Sequence, residues 1–299
     1  MKNLLKQRPY FEGWYFKHQY DNEILAFIPG INREKGKAIT PFLQIIAGEK
    51  AYQLNFSAEE CFIDRRSCYI RLGKNVFTRE GIMIDIQTEE LTLKGVILYH
   101  KLHPIAYNIM GFFRYFPGME CKHAVISMSH RLSGNLVFNG NLLPFHKGIG
   151  YIEKDWGHSF PSSYLWLHCN DFPEDICSVM VSVARIPLWG SYFTGCICAI
   201  HYRNKEYRLA TYLGVKIIKA TPTLIILRQR DYFFRIRIKD TSSHSAYDLA
   251  APQNGKMDRV IKEAHLCRGS FLLSYKKQPV FHLKSQGVSL ESVTEKSEQ

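Results

Sequence analysis

The sequence lacks several features that would place it in a common class. No segment approaches the run of about eighteen apolar residues that a membrane-spanning helix needs. Residues 1–7 contain lysines but no apolar stretch before Arg8-Pro9, so we expect no secretory signal and a cytoplasmic protein. No signature of a known nucleic-acid-binding fold is present. We therefore expect a chain that neither spans a membrane nor binds nucleic acid.

The cysteine and histidine spacings predict neither disulfides nor a metal site. The eight cysteines are scattered without a paired framework, and most stand in apolar company, which favours buried thiols in a reducing compartment. The pairs His100/His103 and Cys196/Cys198 lack a second pair at zinc-binding spacing. The short Gly148-Ile149-Gly150 stretch lacks the rest of a nucleotide-binding fingerprint. We expect no metal and no cofactor.

The chain is basic, with 39 Lys and Arg against 27 Asp and Glu and a formal net charge of +12. The basic residues are dispersed along strand-like segments, which is typical of a solvated surface. The alternative is peripheral contact with an anionic membrane that stores a hydrophobic substrate. Both interpretations stay open at this point.

Aromatic content and turn spacing predict an all-β fold. The 17 Tyr and 19 Phe favour strands over helices. Short apolar or alternating runs such as 42–47, 51–56 and 81–87 are separated by Gly, Asn or charged turns, the pattern of a meander barrel or sandwich. We predict two antiparallel β-barrel or sandwich domains with little helix.

The predicted domains are residues 1–140 and 141–285, followed by a polar tail, 286–299, that we expect to be disordered. One short helix is expected at residues 258–266. Residues 104–118 are apolar and aromatic but too interrupted to cross a bilayer. We interpret them as a loop that caps a pocket mouth, with plain core packing as the alternative.

The stretch from residue 148 to residue 170 concentrates the residues with chemical potential. It reads as two strands joined by a turn at 157–162. Because strand side chains alternate, the first strand places Tyr151, Glu153 and Asp155 on one face. The second strand places four side chains together, namely Tyr164, Trp166, His168 and Asn170. Two such faces opposed would form an aromatic-walled pocket with convergent polar groups, which is typical of a small-molecule site.

Three segments resemble the tocopherol cyclase family. The central one contains Gly150-Tyr151, Glu153-Lys154-Asp155-Trp156-Gly157, Phe160-Pro161, and Trp166 followed by Cys169-Asn170. The opening segment, 9–17, reads Pro-Tyr-Phe-Glu-Gly-Trp-Tyr-Phe-Lys. The closing segment contains Leu249-Ala250-Ala251-Pro252, then Cys267 and the predicted strand that begins at Gly269. These matches span almost the whole chain. The resemblance implies two lipocalin-like β-domains related to the carotenoid hydratase group.

The resemblance also implies a cofactor-free cyclisation, in which a prenylated hydroquinone closes onto its own side chain to give a chromanol. Such a reaction needs a proton donor for an alkene, stabilisation of a tertiary cation and a phenol oxygen within reach. Two carboxyl groups on one strand face repel each other when both are charged, which favours a protonated form of one. Asp155 is therefore the first candidate for the acid and Glu153 its partner.

The remaining candidates are assigned to substrate binding: Glu12, Trp14, Tyr151, Trp156, Tyr164, Trp166, His168 and Asn170. Plant members of the family often carry Asn at the position of Asp155 and Gln at that of His168, so the resemblance alone does not assign a role to these two residues. Lys154 lies on the opposite strand face from Glu153, which argues against a catalytic lysine.

Structural interpretations stand beside these functional ones. Glu12 and Glu153 are alternatively members of ordinary ion pairs, and the tryptophans are alternatively core residues. For the protein as a whole, the alternatives are a non-catalytic carrier of a hydrophobic ligand and an isoprenoid hydratase, in which water captures the cation.

Overall fold

The computed structural model describes residues 8–21, 23–116, 118–173, 176–188, 190–239 and 246–294. These residues form antiparallel strands joined by turns, with short 3-10 turns and no α-helix among them. Within the same residues, no helix has the length and apolar character needed to cross a membrane. The predicted all-β fold with little helix is confirmed.

The chain forms two compact units and passes between them more than once. Unit 1 contains Met1–Pro104, Ile126–His158 and Pro252–Met257, and unit 2 contains Ile105–Val125, Ser159–Ala251 and Asp258–Gln299. Each unit takes most of its strands from one of two antiparallel sheets.

The first sheet is built from β1 (Tyr10–Tyr20), β2 (Glu23–Arg33), β3 (Thr40–Ala47), β4 (Lys50–Asn55), β5 (Cys61–Asp64), β6 (Tyr69–Leu72), β7 (Asn75–Phe77), β8 (Gly81–Gln87), β9 (Thr92–Tyr99), β10 (Cys121–Phe138), β11 (Asn141–Pro144) and β12 (Ile149–Gly157). Its order is β4-β3-β2-β1-β12-β10-β9-β8-β7-β6-β5, with β11 on β10. Side chains at alternate positions fill its core, among them Trp14, Phe16, Phe27, Leu43, Phe77, Ile97, Leu136 and Ile152.

The second sheet is built from β13 (Tyr164–Cys169), β14 (Cys177–Leu188), β15 (Ser191–Tyr202), β16 (Lys205–Ala210), β17 (Lys216–Thr221), β18 (Leu224–Gln229), β19 (Tyr232–Lys239), β20 (Ala246–Gln253), β21 (Lys256–Tyr275) and β22 (Gln278–Val293). Its order is β16-β15-β14-β13-β22-β21-β19-β18-β17, with β20 on β21. Its core includes Leu165, Leu167, Val181, Cys198, Phe234, Phe271, Leu273 and Leu290.

Two histidines lie inside unit 1. His18 is fully buried, and its Nδ1 lies 3.1 Å from the carbonyl oxygen of Leu25 while its Nε2 lies 2.6 Å from the hydroxyl of Tyr99. This arrangement fits a neutral ring, with Nδ1–H donating and Nε2 accepting. His130 is also buried, and among the described residues its Nε2 has no hydrogen-bond partner. A Cβ at position 150 would lie 2.2 Å from that nitrogen, which explains the glycine there.

The structure corrects three local expectations. Residues 141–157, assigned from the sequence to the second domain, pair within the first sheet as β11 and β12. The helix expected at 258–266 is wrong, since these residues belong to β21 and their burial alternates with a period of two. The tail expected from residue 286 begins too early, because β22 continues to Val293 with Val288 and Leu290 buried. Residues 295–299 lie outside the described residues.

The buried histidines predict an acid-sensitive fold. Burial lowers the pKa of His18 and of His130 from about 6.5 to about 3. The unfolded chain then binds more protons than the folded chain between these values, so stability is full above pH 6.5 and falls as the pH drops towards 3. Each residue adds a slope of about 1.4 kcal/mol per pH unit. When urea unfolding is measured between pH 7 and pH 4, the free energy of unfolding of His130→Leu should change with pH by about one proton less than that of wild type. An equal pH dependence in the two proteins would contradict this prediction.

Candidate functional site

The opening motif and the central motif form neighbouring strands. β1 pairs with β12 so that Trp14 lies opposite Lys154 and Tyr15 lies opposite Glu153. Directly opposed residues of antiparallel strands share a face, and successive residues alternate between faces. The strand pair therefore has an inner face, which carries Phe16 in the core of unit 1, and an outer face, which carries Glu153.

The inner face holds a buried carboxylate between two cations. Glu12 is 1% exposed, and its Oε1 lies 2.5 Å from Lys154 Nζ. Arg65 donates from Nε to both carboxylate oxygens, at 2.9 and 2.7 Å, and its Nη2 lies 2.6 Å from Oε2. Burial and then the charge of Glu12 raise the pKa of Tyr10 to about 12. Glu12 thus belongs to an ion-pair network, as the structural interpretation expected, although its partners are Arg65 and Lys154 and not Lys17.

Two indoles complete this network. Lys154 Nζ lies 4.5 Å from the ring centroid of Trp14 and 5.3 Å from that of Trp156. An ammonium group over an indole face is attracted by the ring quadrupole. Trp14, Trp156 and Glu12 therefore share the face of Lys154, whereas Glu153 and Asp155 project from the opposite face. The residues assigned to the cavity are therefore divided between the two faces of this strand pair. A substrate contact for Trp14, Trp156 and Glu12 stays a prediction.

The outer face carries the acid pair. Glu153 is buried and accepts a hydrogen bond of 2.5 Å from the hydroxyl of Tyr151, which is fully buried. Asp155, two residues further along the same face, is partly buried. Burial, and next the charge of Glu153, raise the pKa of Tyr151 well above its usual range, so this phenol remains a donor. The predicted grouping of these three side chains on one strand face is what the structure has.

Unit 2 carries the other predicted residues on one face of β13 and at the residue that follows it. Tyr164, Trp166, His168 and Asn170 are all buried, and Leu165, Leu167 and Cys169 alternate with them into the apolar core. The rings of Trp166 and His168 stack at 6.3 Å between centroids, with 27° between planes. This face is thus polar and aromatic although it is buried.

Neighbouring strands add two carboxylates to this face. Trp166 lies opposite Glu291 on β22, and Glu291 lies opposite Glu263 on β21. The hydroxyl of Tyr164 donates to Glu291 at 2.8 Å. Glu263 is fully buried, with an oxygen 3.3 Å from Nε2 of His265. An indole and two carboxylates consequently form a row across three adjacent strands.

The sequence pattern did not reveal this part of the face. His265 is buried, and its Nδ1 lies 2.7 Å from the hydroxyl of Ser289. Both residues lie in segments that were expected to be helix and tail. The available signal was a period-two pattern, in which the less exposed positions are Arg259, Ile261, Glu263 and His265. Three of these four residues are charged or titratable, so the pattern did not resemble the alternation of apolar and polar residues that identifies a strand.

The family model and the curated relatives point to the same family. A family model described as tocopherol cyclase-like matches residues 87–292 and so leaves the opening motif outside the match. The chain is 30% identical over 143 residues to the chloroplastic tocopherol cyclase of Zea mays. That alignment covers 46% of this chain and 30% of the maize protein, so the chain spans less than a third of this relative.

Solved structures resemble the chain over most of its length. CghA has a TM-score of 0.59 at 9% identity, covering 97% of this chain and 90% of its own. Kievitone hydratase from Nectria haematococca has a TM-score of 0.52 at 12% identity, covering 98% and 93% respectively. At such low identity the likeness shows the fold alone, and it agrees with the fold that the resemblance implied.

The ion-pair network of the inner face makes a prediction about stability. Lys154→Met removes one of the two cations that pair with the buried Glu12, and we expect a loss of about 3 kcal/mol in the free energy of unfolding. Adding Glu12→Gln to this variant should restore most of the lost free energy of unfolding, because the buried carboxylate that lost its ammonium partner is then replaced by a neutral amide. Denaturant unfolding of the single and double variants measures both effects.

The matched control is Lys94→Met, which breaks the exposed Lys94–Asp85 pair of unit 1, 3.5 Å apart, and should cost less than about 1 kcal/mol. An equal cost for Lys154→Met and Lys94→Met would show that the buried pair has no special role.

Proposed function

This chain belongs to the tocopherol cyclase-like family, and from that premise we propose that it is a cofactor-free enzyme that closes a chromanol ring on a prenylated hydroquinone. The substrate class is a hydrophobic aromatic molecule with an isoprenoid side chain. Family membership supports an enzyme of this general type, and the geometry of the carboxyl groups described above supports this particular reaction.

The proposed reaction is a balanced isomerisation. A proton adds to the less substituted carbon of the trisubstituted alkene, which forms one C–H bond, breaks the π bond and leaves a tertiary cation. The phenol oxygen then attacks the cation to form a C–O bond, and the phenol proton restores the acid. No electron is gained or lost, so the reaction consumes no oxidant or reductant.

One observation carries the assignment of the acid. On the outer face of β12, the Tyr151 hydroxyl donates to Glu153 at 2.5 Å, and Asp155 shares that face. In the proposed mechanism, Tyr151 orients Glu153, and Asp155 lies two residues further along the same strand face. Asp155, which is less buried than Glu153, then delivers the proton.

The face of unit 2 supports a second candidate for the acid. Glu291 lies opposite Trp166 in register, accepts from Tyr164 and is the cross-strand neighbour of Glu263. A carboxyl group beside a like charge and an indole has the elements that protonation and cation stabilisation require. The two faces are compared by substitution on each.

Asp155→Asn should abolish turnover and leave binding intact. We expect kcat to fall by at least about 100-fold, the usual contribution of a positioned acid, with the substrate dissociation constant little changed. The measurement is anaerobic turnover of a prenylated hydroquinone in D2O, in which wild type should place one non-exchangeable deuterium in each chromanol. Asp85→Asn, a strand carboxylate of unit 1 that pairs with the exposed Lys94, is the control and should react like wild type.

Other outcomes identify the alternatives. A product heavier by one water indicates a hydratase, and a ligand bound but unchanged by wild type indicates a carrier. Full activity of Asp155→Asn together with loss of activity in Glu291→Gln would move the acid to unit 2. Full activity of both variants would contradict acid catalysis by either face.

A further inference from the structure

Residues 106–115 of unit 2 form an aromatic segment that exposes side chains to solvent although its backbone is fixed by hydrogen bonds to the rest of the unit. Ile109 and Met110 are buried, whereas Phe112 and Tyr115, on the 3-10 turn Gly111–Tyr115 that follows, are 53% and 71% exposed. The segment thus has a buried side and an outward aromatic side. Its proposed role as a cap over a pocket mouth stays a prediction.

Arg208 and Glu206, which lie on β16, hold the base of the segment. Arg208, whose side chain is 5% exposed, donates from Nη1 to the carbonyl oxygens of Tyr107 and Asn108 at 3.0 and 3.1 Å. Glu206 pairs with Arg208 and accepts from the backbone N–H of Ala106 at 2.7 Å. Because the backbone is fixed on both sides of the ion pair, the segment is a built feature of unit 2.

Tyr212 fixes the turn itself. Its hydroxyl donates to the carbonyl oxygen of Ile109 at 2.9 Å. Gly111 has φ of +54°, and a Cβ there would lie 2.7 Å from the Tyr212 ring, so only glycine permits this close approach. The packing beneath the turn therefore keeps Phe112 and Tyr115 directed outward.

A neighbouring strand extends the exposed surface. Phe193 on β15 stacks on Phe113 with 5.8 Å between centroids, and the preceding residue, Tyr192, projects from the opposite face of the same strand and is 55% exposed. Two arginines lie over the outward rings: Arg114 is 4.5 Å from the Tyr115 centroid and Arg185 is 4.0 Å from the Tyr192 centroid. We call Phe112, Tyr115, Tyr192, Arg114 and Arg185 the aromatic tip.

The charge of the aromatic tip indicates which kind of partner it can bind. Its two charged members are both arginines, and the acidic residue beneath it, Glu206, is paired with Arg208. One phenylalanine and two tyrosine rings with arginines suit the interface between lipid headgroups and acyl chains, where the rings bury apolar area and the cations meet anionic headgroups. A second copy of the chain would present the same positive charge and repel it.

We propose that the aromatic tip docks unit 2 onto an anionic lipid bilayer, with Phe112, Tyr115 and Tyr192 at headgroup depth. The use of this docking, which is access to a prenylated substrate dissolved in the bilayer, rests on the proposed function. The binding itself does not, because it needs no substrate.

Cosedimentation with phosphatidylcholine vesicles that contain phosphatidylserine tests the proposal without any substrate. The full chain should bind these vesicles and bind pure phosphatidylcholine much more weakly. Phe112→Ser with Tyr115→Ser should weaken binding at least tenfold, since two interfacial rings are lost. Arg114→Gln with Arg185→Gln should remove the preference for anionic lipid, at about fivefold for each arginine, the equivalent of about 1 kcal/mol.

The matched control is Phe62→Ser with Tyr275→Ser, because Phe62 is also 53% exposed and Tyr275 is 40% exposed, both away from the aromatic tip. These substitutions should leave vesicle binding unchanged, and circular dichroism checks that each variant folds. A blue shift of tryptophan emission in Phe112→Trp on anionic vesicles gives a second measurement. Absence of wild-type binding, or equal loss in the control, overturns the proposal. Self-association that the tip substitutions abolish, without vesicle binding, overturns it in favour of a second copy.

Discussion

The buried ion pair between Glu12 and Lys154 is the contact on which the arrangement of unit 1 depends. It joins two strands that are far apart in sequence, and a carboxylate that is 1% exposed tolerates no slip that would separate it from its cations. Because a shift of one residue would turn every side chain to the other face, this pair fixes the register of β1 against β12. The opening and central motifs therefore share a structural reason for their residues.

This constraint divides the central motif between two tasks. With Lys154 held over Trp14 and Trp156 on the inner face, the residues on either side of it, Glu153 and Asp155, must lie on the opposite face of the strand. The two indoles of the inner face are already engaged by an ammonium group, so a role for them in stabilising a substrate cation has little physical basis. Trp166 in unit 2 stands instead beside a carboxylate.

Local pattern predicted the strands and their faces but not their partners. Alternation in residues 148–170 was sufficient to group Tyr151 with Glu153, since that grouping depends only on the period of a strand. It gave no information on pairing, which is why β12 was assigned to the second domain although it completes the first sheet. The error at residues 258–266 has a related cause: Glu263 and His265 are buried by partners on β22, and a buried charge reads as an exposed one in sequence.

Unit 2 raises the question of why so polar a face is buried. Its apolar core lies on the other side of β13, so the row of Trp166, Glu291 and Glu263 is not needed to form that core. Two carboxylates on directly opposite positions of neighbouring strands repel each other, and desolvation adds to this cost. Apolar residues of similar volume would give a more stable sheet at the same positions. The presence of acids, a histidine and an indole at these positions is therefore better explained by chemistry than by folding. For this reason Glu291 is a second candidate, beside Asp155, for the acid of the proposed reaction.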